Sequence, residues 1–202
     1  MGRTKADWQR ARSTFRHGNL PEALVAAALE RLETEGAAGL SLRELARDAG
    51  VNHRAVYRHF PDKLALLARV AEEGWRRLAR DMEKDAIAEN CGEEALVAGG
   101  WAFYRFSRAN PHLIELMAGP RINEQGAFPD LERAITAVLA SFVRGFVEFG
   151  TPQEVALLRT VFYVAALRGI TDQVIYKRLR VAPNKAAGFV GDICQMLIKG
   201  LR

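Results

Sequence analysis

A chain of 202 residues that is 49% hydrophobic has the material for a real core, which excludes a disordered tail protein and fits one ordinary domain or a small domain fused to a larger one. With no run of 18 apolar residues and no apolar signal segment in MGRTKADWQRARSTFRHGN, a cytoplasmic protein without a membrane partner is expected. Charge is uneven: residues 1–70 carry 12 Lys+Arg against 8 Asp+Glu and residues 71–202 carry 17 against 16, which points to a polyanion partner at the N-terminal end, a solubilising basic tail being the plain alternative.

Every long segment has helical period and none alternates with period 2, so the fold is expected to be all-α. Asn19 is placed to cap a first helix from about 20 to 35, with Pro21 in its first turn, Glu22 at the capping-box position, Leu24, Ala28 and Leu32 as its stripe and Gly36 as its terminator. Ser41 and Glu44 form a second capping box, stapled by Leu40 and Leu45, on a helix that buries Leu42, Leu45, Ala46 and Ala49. Gly50 ends that helix, and Asn52 caps a third at once, with Val51 and Val56 as its staple. Two capped short helices, a glycine turn that permits left-handed backbone and a small Ala46 at the crossing make a helix-turn-helix.

The third helix is unusual for its polarity. In GVNHRAVYRHFPDK only Val56 and Phe60 offer a buried face. The second helix of such a unit lies in the DNA major groove with its N-terminal residues at base edges. That places His53, Arg54 and Ala55 as readers, since Arg forks onto guanine O6 and N7 and Ala meets a thymine methyl. Tyr57 and His59 suit phosphates, which fix register, and Lys63 adds its charge at the start of the next helix. The bland readings stay open: Tyr57 as core packing, His53 as a solvated residue, Arg43 paired with Glu44 or Asp48, Lys63 simply exposed. Arg10, Arg12 and Arg16 either enter a minor groove or do not.

Beyond Asp62, a candidate N-cap, a long helix runs to about Glu89 with Leu64, Leu67, Val70, Ala71, Trp75 and Leu78 as apolar positions. A helix over 93–109 ends at Asn110-Pro111, HLIELMAG makes a short one, 118–130 is a Gly/Pro-rich loop, and three helices follow near 130–149, 152–179 and 184–201. The expected division is 1–65, the basic arm and DNA-binding unit, and 66–202, a larger helical part. Trp101, Tyr104, Met117, Phe142, Phe146, Phe162 and Tyr163 supply more large side chains than one packing interface requires. They suggest a cavity for a small, largely apolar or aromatic effector, with Arg105, Arg108 or His112 as polar anchors; plain aromatic core is the alternative. Val155, Leu158, Phe162 and Ala165, with Phe189, Ile193, Met196 and Leu197, recur at three and four residues and form a candidate isologous dimer face. Cys91 and Cys194 lack a second Cys or His at ligand spacing, so neither a metal nor a cofactor is expected.

The pattern G-V-x-x-x-x-V-Y-x-H-F-x-x-K, followed by an apolar helix, resembles the tetracycline-repressor (TetR) family of bacterial transcriptional regulators over about residues 16–70. The resemblance implies Arg43, His53, Arg54, Ala55 and Tyr57 at or near bases, and Ser41, Tyr57, His59 and Lys63 at the phosphate backbone. It also implies a homodimer on a palindromic double-stranded operator, released by a small-molecule effector bound in the C-terminal domain. RFSRANPHLIELMAG resembles one C-terminal subgroup with a later Trp-x-x-x-His-Gly; here Arg168 stands where that motif has His, ahead of Gly169. Two other readings remain: an all-helical enzyme acting on an anionic substrate, and a regulator with no small effector. No phosphate loop, paired carboxylates or nucleophile with a partner is found for the first.

Overall fold

The computed structural model describes residues 20–87, 92–119, 122 and 124–201. The arm of residues 1–19, including the proposed Asn19 cap, and Cys91 lie outside the described residues. Among those described there are nine α-helices and no strand. They are α1 Leu20–Gly39, α2 Leu42–Ala49, α3 His53–His59, α4 Lys63–Ile87, α5 Glu93–Ala109, α6 Pro111–Met117, α7 Pro129–Glu148, α8 Gln153–Ile175 and α9 Ala186–Gly200. By packing, the chain divides into two compact units, one reaching Gly74 and taking in Pro111–Glu132, the other made of Trp75–Asn110 and Arg133–Arg202. None of these helices is long and apolar enough to cross a membrane.

In the first unit α2 and α3 pack on each other and on α1, and α6 lies along α1. The buried stripe of α1 holds Leu24, Ala28 and Leu32, as the spacing required. Gly36 ends the first helical stretch of α1, as expected, at φ 65° and ψ 176°, a backbone region essentially restricted to glycine, and the break is a kink rather than a loop. The chain then resumes helical form to Gly39 and delivers a buried Leu40. The capping box of α2 does not close: Ser41 is extended as a cap should be, yet its hydroxyl makes no cap bond. Glu44 is drawn away by Arg31, which donates to it at 2.8 Å, to Asp48 at 2.8 Å and to Glu35 at 3.0 Å. Either choice is charge-assisted for the Glu44 carboxylate, and a guanidinium that Asp48 and Glu35 also hold in place wins over the single Ser41 N–H. Hydrogen bonding to Glu35, with the charges of Glu44 and Asp48 behind it, raises the Arg31 pKa further, so the guanidinium stays charged.

The second unit packs α5 against α9 and α8. Close approach depends on the Gly99-Gly100 pair of α5: a Cβ at Gly100 would stand 2.5 Å from both Cys194 Sγ and the Tyr163 hydroxyl. The rings of Phe142 and Phe146 lie 5.5 and 5.7 Å from that of Tyr163, whose hydroxyl donates to the Leu96 carbonyl at 3.0 Å. α8 stops at Ile175, short of the expected 179, because Lys177 takes a left-handed φ of 57° and turns the chain. Leu64, expected inside α4, is exposed; Leu66 takes the buried place.

Candidate nucleic-acid interface

Helix α3, the candidate reading helix, is held by three local devices. Gly50 adopts φ 64°, and the Gly50 and Val51 N–H groups close the end of α2 on the Arg47 and Ala46 carbonyls at 3.1 and 3.0 Å. Asn52 Oδ1 accepts from the Arg54 N–H at 2.9 Å and starts α3. Val56 and Phe60 are buried and anchor α3 on the core of its unit. Loss of both anchors would cost about 3–6 kcal/mol by apolar burial alone, so the helix is set in one orientation about its axis.

That orientation leaves His53, Arg54, Tyr57, Arg58 and His59 exposed, with Ala55 half-buried. Tyr57 is 40% exposed, too open for a core residue. Arg43 on α2 is exposed as well, and among the described residues it has no carboxylate partner; Glu44 and Asp48, its rivals from the sequence, are taken by Arg31. Arg54 and Arg58 likewise have no carboxylate partner among the described residues. Arg43, His53 and Tyr57 meet at a cleft of about 690 Å³ between α2 and α3. Ser41 is half-buried at the start of α2. Lys63 is more constrained than expected: its ammonium donates to the Ala38 carbonyl at 2.8 Å, which leaves two donors for an anion. The sequence reading assigned no contact to Arg47 or Arg58; Arg47 is exposed and only loosely near Asp48 at 3.8 Å and Glu44 at 4.0 Å, and both arginines lie beside the predicted readers, where charge count alone would have flagged them.

The candidate effector residues are not one cluster. Phe142, Phe146 and Tyr163 fill the core of the second unit, with burial pushing the Tyr163 hydroxyl well above its ordinary pKa. Trp101 stacks on buried Tyr104 at 5.3 Å and lines a groove of about 740 Å³, floored by Val97, Ala98, Ala187 and Gly191. Arg108 and Phe162 are exposed, the latter at 55%. His112 and Met117 belong to the first unit, His112 next to the Gly36 kink and Met117 against Gly74. Arg168, in the place of the subgroup's His, is tied to Asp172 at 2.9 Å.

All eight candidate dimer residues keep solvent contact. Leu158 at 71% and Met196 at 70% are the most open, Ala165 is exposed, and Val155, Phe189, Ile193 and Leu197 are half-buried. Leu157 and Val161 extend the same exposed face of α8, which the sequence reading had missed. The opposite face buries Ala156, Thr160, Tyr163, Leu167 and Thr171, so α8 is apolar on both sides. An exposed apolar face of that extent is characteristic of an association surface.

A sequence profile of bacterial regulatory proteins of the tetR family matches residues 24–70. The nucleoid occlusion factor SlmA of Vibrio campbellii is 27% identical over 159 residues, covering 63% of this chain and 81% of its own. Among solved structures, a protein of unknown function from Rhodococcus sp. RHA1 is 32% identical with a TM-score of 0.79, covering 91% of this chain and 96% of its own. A TetR variant from Acinetobacter baumannii AYE in complex with minocycline shares the fold at 22% identity and TM-score 0.63, covering 88% of this chain and 93% of its own.

Proposed function

We infer that this chain, which belongs to the TetR family of bacterial regulatory proteins, is a dimeric transcriptional repressor that binds a palindromic operator and is released by a small molecule. The observation that carries the reading is the exposed set on α3: His53, Arg54, Tyr57, Arg58 and His59 point away from a helix anchored by Val56 and Phe60. Such a surface gains nothing from the rest of the fold and suits a phosphate-lined groove. Residues 1–65 carry the DNA contact in this reading, and 66–202 carry effector and dimer functions. Arg43, His53, Arg54, Ala55 and Tyr57 face bases; Ser41, Tyr57, His59 and Lys63 face phosphates.

The α8 and α9 face pairs with its copy, because one short reading helix covers too few base pairs alone and a two-fold dimer reads half-sites about 34–36 Å apart. For the effector, the groove beside Trp101 is the better place than the Phe142, Phe146 and Tyr163 cluster, which is filled. α4 carries the chain from the reading unit to Lys84 and Asp85 at that groove. A ligand there need contribute only about 1–3 kcal/mol of coupling to weaken the operator complex 5- to 150-fold.

Selection of bound duplexes from a random library at near-physiological salt is the test. A two-fold symmetric site is expected; enrichment of nothing, or of salt-labile duplexes without symmetry, would sink the reading. The filled ring cluster favours one second reading, a regulator that answers to no small molecule. A thermal-shift screen decides between them, since a ligand at 100 times its Kd stabilises by about 2.7 kcal/mol.

A further inference from the structure

Between Asp172 and Asp192 the chain carries four cations, Lys177, Arg178, Arg180 and Lys185, and no carboxylate. The rest of residues 71–202 then holds 13 Lys+Arg against 16 Asp+Glu, a net −3. A polyanion is therefore repelled by most of this stretch and drawn to one short segment. Tyr176 to Arg180 are all exposed, and so is Lys185. Among the described residues none of the four cations has a carboxylate partner.

The segment is a built turn. The Tyr176 N–H donates to the Asp172 carbonyl at 3.0 Å, Lys177 N–H to Val174 at 3.2 Å and Leu179 N–H to Gln173 at 2.9 Å. Lys177 sits at φ 57°, a conformation that disfavours side chains and that glycine would adopt freely. A strained lysine kept at the apex of a basic turn is an outlier of the kind found at contact surfaces. The Arg178 guanidinium lies 5.8 Å over the Tyr176 ring, which restrains a long side chain before any partner arrives. The following helix, α9, has no acid in its first turn to offset its positive end.

We propose that this tip, Tyr176–Lys185, is a second nucleic-acid contact, which grips the phosphate backbone of duplex DNA without regard to sequence and independently of the reading helix. Interleaved cations, an exposed aromatic hydroxyl and a stacked arginine suit phosphate and sugar contacts. A lipid surface fits less well, because among the described side chains of the tip Leu179, 43% exposed, is the one large aliphatic in the open, exposed Ala182 being small. A dimer so equipped holds an operator with its reading helices and a separate duplex with its tips.

The experiment uses the full chain saturated with a short operator duplex, which occupies the reading helices; a fluorescent duplex lacking the operator is then titrated in. Wild type should form the ternary complex with steep salt dependence. The triple variant Lys177→Gln, Arg178→Gln, Arg180→Gln should bind the second duplex at least tenfold more weakly, with a salt slope lower by about 3. Its operator affinity should stay within twofold and its melting temperature should not fall, since all three positions are exposed. Equal ternary binding by wild type and variant would overturn the proposal, as would its absence from wild type. Unchanged duplex binding with loss of binding to phosphatidylglycerol vesicles would reassign the tip to a lipid surface. Saturation of the operator is measured first, so failure of the dimeric-repressor reading shows before the second duplex is added.

Discussion

Arg31 shows what a sequence pattern hides at the scale of one residue. Its partners Glu44 and Asp48 lie 13 and 17 positions away, beyond any helical period, and only folding reveals that Arg43 has no carboxylate partner among the described residues. Val56, Phe60 and Asn52 were legible because staple and cap act within a few residues; the fate of Glu44 was not, because two motifs competed for it. Arg31→Gln should lower stability by about 1–2 kcal/mol, read as a lower urea midpoint, with part of the loss masked at high salt because the acids are partly exposed. Arg54→Ala should cost about 1–3 kcal/mol at one base position and relax preference there, while the same change at Lys63 weakens all duplexes alike. Lys63→Ala should also lower the melting temperature slightly, since it frees the Ala38 carbonyl; Arg54→Ala should not. A selection from randomised duplexes, run beside a melting curve for each variant, separates the two roles.

At the scale of elements, boundaries followed from caps where the cap was local. Asp62 starts α4 by accepting the Ala65 N–H at 2.8 Å, as its position promised. The helical turn that resumes beyond Gly36 and the early end of α8 were illegible because each is a single backbone choice imposed by packing or turn closure. α5 carries a further test. Gly100→Ala gains about 1 kcal/mol of helix propensity, yet its methyl would meet Cys194 and Tyr163 at 2.5 Å. Overpacking wins, and a net loss of about 1–2 kcal/mol is expected in denaturant melts. Cys194→Ala should relieve part of it. The same pair sets a pH dependence. Burial holds the Cys194 thiol neutral and pushes its pKa up, and Tyr163 is shifted the same way. The unfolded chain ionises at the ordinary values while the folded chain does not. Stability is therefore complete below about pH 8.5 and falls as pH rises through the raised values. Urea midpoints between neutral and alkaline pH should show a fall that Cys194→Ala makes shallower.

For the whole molecule, the candidate association face is the feature with the largest leverage. α8 exposes Leu157, Leu158, Val161 and Phe162 together, and a charge there should be tolerated by the protomer but not by a dimer. Leu158→Glu is expected to give a folded monomer by light scattering, with operator affinity reduced at least a hundredfold. A dimer that survives the substitution would move the interface elsewhere. That face was legible in the sequence as a three-and-four repeat, although its neighbours Leu157 and Val161 were not, since only three-dimensional burial assigns the two sides of an all-apolar helix. The candidate effector residues were least legible. Aromatic content says that large side chains are present, and only packing tells a filled core from a groove.

The link Gly50-Val51-Asn52 bears on how such a protein changes over generations. Both ends of it are fixed by hydrogen bonds, and α3 advances about 100° per residue. Adding or deleting one residue there would swing Arg54 toward the interior and bring Val56 out, erasing recognition and anchoring in a single event. In the proposed reading, lineages drift in binding preference by exchanging side chains at 53 to 55, while their alignments should show no gaps across this link.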